Sequence, residues 1–237
     1  MEQMPVKNKS HENMPDNKLE NMIEFISKVV DEAEKFNIKE SDKNEKGELL
    51  VSPNGPVSNL GRQSELWWKI ARTESFKKFF GDWQNNSKSS SKVVDRNGEP
   101  LVVFRAIGLN SLADFYNEDF YTKNSGLHGP GVYFTADPNR FHSGSTFPAF
   151  INSRKPIGSG FAMALRDWKG VANFLVPKKI GKFFGKISPS IYDSVFVESK
   201  KKAEDTWEMV LKSPYQVLMI PNPIKRISKS VKEYPKN

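Results

Sequence analysis

An arginine ends an apolar run in the segment "LVVFRAIG", residues 101–108, and is the first candidate for chemistry in this chain. Charged side chains are seldom buried unless they are paired, so Arg105 needs a partner. Its guanidinium presents a rigid fork of donors that fits the oxygens of a phosphate. A carboxylate on the protein surface is the alternative partner. The sequence favours phosphate, because four apolar residues precede the arginine.

Tyr133 lies in a second segment with the pattern of a buried strand, "GPGVYFTAD", residues 129–137. Its aromatic ring can stack on a planar ligand or pack in the core. Gly129 and Gly131 precede the tyrosine, and glycines allow the backbone to approach a ligand closely, although a tight turn would need them too. Arg105 and Tyr133 together predict a cleft lined by residues of two strands.

The composition of the 237 residues excludes several classes of site. There is no cysteine, so a disulfide framework, a thiolate metal site and a cysteine nucleophile are ruled out. The three histidines, His11, His128 and His142, do not have the spacing of metal ligands, and we expect no metal cofactor. The net charge of +8 favours an anionic partner. Because the lysines and arginines are scattered, a plain nucleic-acid binder ranks last among the candidate functions.

The sequence contains no apolar run long enough to cross a membrane, and it does not open with a signal peptide. We therefore expect a soluble protein without a membrane partner. Its expected location is the cytoplasm, or the cytoplasm of a host cell into which it is delivered, for example from a virion.

The N-terminal region, residues 1–51, is predicted to stand apart from these candidates. Residues 1–17 are polar without periodicity, which is typical of a disordered tail. Residues 18–36 have the pattern of one amphipathic helix, and a charged linker follows. We expect this region to contribute little to the core, and its apolar stripe to dock on this or another chain or to form an oligomer. The stripe consists of Leu19, Ile23, Ile26, Val30 and Ala33.

Two further regions are predicted. Residues 52–92 begin with turn residues and continue with two short helices, around "SELWWKIAR" and "TESFKKFFGDW", whose rings we expect in the core rather than in a binding cage. Residues 93–237 contain an Asn-Gly hairpin signal, then short strands and a few helices. Because strands and helices do not alternate regularly, the pattern predicts an α+β fold. Strands are expected at 101–105, 131–135, 147–157 and in "YDSVFVES", "TWEMVLKS" and "YQVLMIP", and helices at 112–120 and 159–175.

Six segments occur in an order that resembles one family: "SPNGPVSNL", "SFKKFFGDWQ", "SKVVDRNGEPLVVF", "GPGVYFTAD", "YDSVFV" and "VLMIPNPIKRI". They are similar to the ADP-ribosyltransferase-like domain of polyvalent proteins from phages and mobile elements, over residues 52–228. That family belongs with diphtheria toxin and the poly(ADP-ribose) polymerases. The resemblance implies an α+β fold with a split antiparallel sheet and flanking helices, with the N-terminal helix outside it. It also implies NAD as co-substrate, without a metal.

In that family three strands present a His, a Tyr and a Glu around NAD. Tyr133 matches the tyrosine, which stacks on nicotinamide, and Gly131 precedes it. Arg105 stands where the family has histidine, and the backbone of Ala106 beside it would hold the nicotinamide amide and the ribose. Gln216, or alternatively Tyr215, aligns with the glutamate, and Glu208 on the preceding segment is the other candidate. Only a carboxylate there supplies negative charge near the ribose 2′-OH as the glycosidic bond breaks.

Two interpretations follow from the resemblance. The favoured one is a mono-ADP-ribosyltransferase, an effector that transfers ADP-ribose from NAD to a macromolecular target, a protein rather than a nucleic acid. The alternative is a catalytically inactive relative, a binding or structural module that is packaged in a virion. Tyr133 and its glycines favour contact with NAD, whereas arginine in place of histidine and Gln216 in place of glutamate favour the inactive relative.

Overall fold

Helices form the first part of the chain and strands the second. The computed structural model describes residues 16–107, 116, 125–126, 129–137, 145–158, 194–197, 208–211 and 213–219. The predicted tail therefore lies outside the described residues, apart from its last two positions. The predicted helix at 159–175 lies entirely outside the described residues. Of the predicted helix at 112–120, only Tyr116 is described.

The first helix, α1 (Asp16–Glu34), packs into the core of this chain. Its buried residues are Met22, Ile26, Val29, Val30 and Ala33. Ile23 from the predicted stripe is only half-buried, since the buried face is rotated toward Met22 and Val29. The expectation that this region adds little to the core is therefore wrong, because α1 contacts the later helices and shares one cluster of buried residues with the sheets.

Three short helices follow, and polar caps set their boundaries. They are α2 (Asn59–Gln63), α3 (Glu65–Arg72) and α4 (Glu74–Phe80). Thr73 has extended backbone angles that end α3, and its side chain accepts the Phe76 N–H at 3.1 Å to begin α4. Gly81 ends α4 with φ +98°, and a Cβ there would lie 2.4 Å from Cα of Ser90, so only glycine fits.

Several aromatic residues of α3, α4 and the turn after them belong to the core, whereas we expected them to cap one end of it. Trp68, Phe76 and Phe80 are fully buried, and Trp83 is nearly so. The Phe76 ring lies 4.8 Å from the ring of Phe150 on the sheet, which fixes α4 against the strands.

A buried ion pair joins these helices to the predicted Asn-Gly hairpin. Gly98 turns with φ +80°, and a bridge between Val94 and Pro100 closes the hairpin. Glu99 follows Gly98 in this hairpin. Its side chain is fully buried, and its Oε1 lies 3.1 Å from Nη2 of Arg72.

Nine strands are described, in three sheets, and the order of pairing does not follow the chain. One sheet has the order β1-β5-β9, a second has the order β4-β8-β7-β6, and β2 and β3 form a hairpin. All pairs are antiparallel except β6 with β7. The predicted α+β class is confirmed at this level. The strands are β1 (Val103–Ile107), β2 (Ser125–Gly126), β3 (Gly129–Pro130), β4 (Val132–Phe134), β5 (Ser145–Ile151), β6 (Pro156–Gly158), β7 (Ser194–Val197), β8 (Glu208–Leu211) and β9 (Val217–Met219).

Candidate functional site

The two larger sheets meet where β1 passes β4. Phe104 and Thr135 form an isolated bridge, with the Phe104 N–H 2.7 Å from the Thr135 carbonyl and the Thr135 N–H 2.9 Å from the Phe104 carbonyl. Among the residues described, no second bridge joins these strands. Among the described residues the ladder between β1 and β4 therefore does not continue to Ala106 and Tyr133, and we call this end of the ladder the gap.

The alternation of a β-ladder shows which backbone groups face this gap. The N–H and C=O of Phe104 point to β4, so those of Arg105 point to β5 and those of Ala106 point to β4 again. By the same rule the carbonyl of Tyr133 faces β1. The backbone N–H and C=O of Ala106 therefore both point toward β4.

Arg105 extends across the boundary between the sheets. Its Nη1 donates to the backbone carbonyl of Tyr133 at 3.0 Å, and its guanidinium carbon lies 6.0 Å from the centre of the Phe134 ring. The side chain is half-buried. The structure therefore brings Arg105 and Tyr133 together, through a carbonyl of the protein that the sequence did not indicate as a partner of the arginine.

Tyr133 is the half-buried residue between two buried ones, Val132 and Phe134, and it pairs with Val210 of β8. Gly131 before it has φ +152°, and a Cβ at this position would lie 2.3 Å from the carbonyl oxygen of Leu211. The close approach that requires this glycine is therefore to the neighbouring strand β8, whereas the sequence indicated a ligand or a tight turn.

Glu208 begins β8, next to β4. Phe134 pairs with Met209, so the position of Glu208 is level with Thr135, at the end of β4 that is bridged to β1. Met209 and Leu211 belong to the core, and residues of a strand alternate between its faces. The positions of Glu208 and Val210 are therefore on the other face, which Tyr133 shares as the partner of Val210.

Gln216 is held elsewhere, in the turn before β9. Its Oε1 accepts the Ser213 N–H at 3.1 Å, and its Nε2 donates to the carbonyl of Asn152 at 3.2 Å. Asn152 follows the last residue of β5, and Arg105 pairs with Phe147 near the beginning of that strand. At about 3.3 Å per residue the two places are ~16 Å apart. The structure therefore does not bring Gln216 to Arg105 and Tyr133, contrary to the prediction that all three line one cleft.

The sequence alone did not indicate the bridge between Phe104 and Thr135, since its two residues come from distant apolar segments with no distinguishing motif. Thr135 is buried, and its Oγ1 accepts the Asp137 N–H at 3.2 Å, so it fixes the chain as it leaves β4. The pattern Thr-Ala-Asp is a local signal for such a turn.

Two cavities lie in the helical part of the molecule, away from this boundary. One, of about 500 Å³, is lined mainly by Met22, Phe25, Phe79 and Tyr215. The other, of about 630 Å³, is polar and is lined by residues of the loop 43–49 and of α3. Within the described ranges, no group of three or more His, Cys, Asp or Glu side chains could hold a metal ion.

Comparison with known protein families, with curated proteins and with solved structures finds no match for this chain. In the part of the chain that the structure describes, no helix has both the length and the apolar character to cross a membrane.

Proposed function

We propose that the chain is a mono-ADP-ribosyltransferase, which uses NAD as co-substrate and modifies a macromolecular target. One observation carries this proposal. The strand with Arg105 and Ala106 meets the strand with Tyr133 at the boundary of two sheets, and among the described residues their pairing is limited to the bridge of Phe104 with Thr135. The resemblance in the sequence leads one to expect such a divided sheet with a ligand between its halves.

The nicotinamide end of NAD fits the gap between β1 and β4. The backbone N–H and C=O of Ala106 would bind the carboxamide, because both groups face β4. The ring of Tyr133 would stack on the nicotinamide, an arrangement that adds about 0.5–1.5 kcal/mol beyond the area buried. Both contacts fix the leaving group with respect to the ribose.

Glu208 is the residue to which we assign the carboxylate. It begins the strand beside β4, whereas the amide of Gln216 is used within its own turn. Its negative charge would accept a hydrogen bond from the ribose 2′-OH, which strengthens as positive charge develops on the ring. The C1′–N bond breaks, nicotinamide leaves with the electron pair, and a nucleophile of the target bonds to C1′ and loses its proton.

The second candidate function is an inactive module of the same fold. Arg105 in place of histidine favours it, because the guanidinium is engaged by a carbonyl of the protein itself. Such a module would bind NAD or a protein partner without breaking a bond.

Incubation with NAD labelled on the adenylate and with a cell lysate tests the proposal. We expect free nicotinamide and label on macromolecules, and Glu208→Gln should lower both by about 10²–10³-fold. Glu65→Gln is the matched control, since Glu65 is an exposed acid on α3, and Gln216→Ala should also retain activity. Binding of NAD without release of nicotinamide would establish the inactive module, and a chain that does not bind NAD would contradict both functions.

A further inference from the structure

Arg105 takes the place of a backbone donor where the ladder between β1 and β4 stops. After the bridge between Phe104 and Thr135, the next hydrogen-bonded pair of an antiparallel ladder would be Ala106 with Tyr133. The carbonyl of Tyr133 instead accepts a hydrogen bond from Nη1 of Arg105, at 3.0 Å. A long side chain thus continues the connection that the backbone no longer makes.

This replacement has a geometric consequence. Paired strands lie about 4.8 Å apart, which leaves no room for a ligand between them. A guanidinium at the end of its flexible stem spans a wider separation and still donates a charge-assisted hydrogen bond. The contact with Arg105 therefore restrains β4 next to Tyr133 at the place where the ladder with β1 is not continued.

We infer that Arg105 is a positioning residue that sets the separation of β1 and β4 and orients Tyr133 toward nicotinamide. This inference rests on the proposed function and assigns the arginine a role other than binding an NAD phosphate. It also accounts for arginine at a position where the related family has histidine, since an imidazole is shorter and has no comparable reach across the boundary. The packing of the guanidinium near the Phe134 ring, at 6.0 Å, holds the side chain in the required direction.

Separate titrations with nicotinamide and with ADP-ribose distinguish positioning from phosphate binding. Arg105→Met keeps the length of the stem and removes the donors, and Arg105→Lys keeps a charge and a donor. If Arg105 positions Tyr133, Arg105→Met should weaken nicotinamide binding about tenfold and ADP-ribose binding less than about twofold, and Arg105→Lys should restore part of the loss. The exposed Arg96→Met is the control for loss of charge. A loss confined to ADP-ribose would overturn the inference in favour of a phosphate ligand.

Hydrogen exchange of backbone amides tests the positioning role of Arg105 even where the proposed function fails. If the wild-type chain binds neither ligand, the proposed function fails, and the positioning role is judged on the amides of Phe104 and Thr135. Both should exchange about tenfold faster in Arg105→Met than in Arg96→Met, because the bridge loses its neighbouring support. Equal exchange in the two variants would refute the positioning role, and if Arg105→Met does not fold, Arg105→Ala, which also removes the donors, is compared in the same way.

Discussion

Two arginines of this chain, Arg72 in the helical region and Arg105 at the boundary of the sheets, are placed in opposite ways. Arg72 is buried and donates to the carbonyls of Leu50, Val51 and Trp68 as well as to Glu99. Its guanidinium carbon lies 3.7 Å from the centre of the Trp68 ring. Every side of this group is in contact with protein, so we assign it to stability.

Arg105 is half-buried, and one of its partners is a carbonyl on another sheet. The ion pair of Arg72 and Glu99 joins two segments that lie within the core. Arg105 instead connects two sheets at the boundary between them. Burial raises the pKa of Glu99 and lowers the pKa of Arg72 to about 10, and the attraction and hydrogen bond between the two groups oppose both shifts.

Removal of α1 should have the largest effect on the stability side of this comparison. Each of its larger buried side chains contributes about 1.5–3 kcal/mol to the free energy of unfolding. A whole domain is stable by only about 5–15 kcal/mol. We expect a chain that starts at Gly47 to be unfolded, as judged by circular dichroism. Ile26→Ala, at a position 2% exposed, should cost about 2–5 kcal/mol, and the exposed Lys28→Ala should cost little. A cooperative melt of the shortened chain would show that α1 is accessory.

The ion pair should come next. Arg72→Met leaves Glu99 buried without its charge partner and should cost about 3–5 kcal/mol in chemical denaturation. Adding Glu99→Gln should recover part of this loss, since the buried charge is then gone. Arg105→Met should cost only about 1 kcal/mol. If the two single changes cost the same, the contrast between the arginines does not hold.

Local patterns were sufficient to predict most elements of the fold. The apolar spacing located α1, α3 and α4, and the Asn97-Gly98 pair located the hairpin, because both signals depend on near neighbours in the chain. The face that α1 buries was misjudged, since Met22 and Val29 flank the predicted stripe and only tertiary packing selects between them.

The candidate site is formed by pairing between strands that are distant in the sequence. Local sequence patterns carry no information about such pairing. Arg105 and Tyr133 were identified by residue type, and the structure places them in contact. The choice between Glu208 and Gln216 could not be made in that way, because both occur in short apolar segments of the sequence. The pairing of β8 with β4 places the position of Glu208 level with Thr135, on the face that Tyr133 shares, and the pairing of β9 with β5 takes Gln216 away.

A smaller, pH-dependent effect is expected where α1 meets α4. Ser75 donates to Glu32 from its N–H at 2.9 Å and from its hydroxyl. Burial alone would raise the pKa of Glu32, but these bonds and the charges of Lys28 and Lys78 lower it. A lowered pKa in the folded state gives stability that is present above the unfolded pKa and is lost as pH falls through the folded one.

Glu32→Gln should therefore cost about 1–2 kcal/mol at pH 7 and make the protein less sensitive to acid between about pH 5 and pH 3. Urea denaturation at pH 7 and across the acidic range measures the free energy of unfolding of this variant, with the exposed Glu24→Gln as control. The same sensitivity to acid in both variants would mean that Glu32 does not hold α1 on α4.

The smallest effect is expected at Tyr133, on the functional side of the comparison. Tyr133→Ala removes the ring and should weaken NAD binding by about 0.5–1.5 kcal/mol beyond the lost contact area, whereas Tyr133→Phe keeps the ring and should bind almost as the wild type does. The melting temperature should change little for either, because the residue is half-buried between two buried neighbours that remain in place. Calorimetry with NAD measures both variants against the exposed Lys28→Ala on α1 as control. Equal losses for alanine and phenylalanine would show that the hydroxyl contacts the ligand, and the stacking role of Tyr133 would then be wrong.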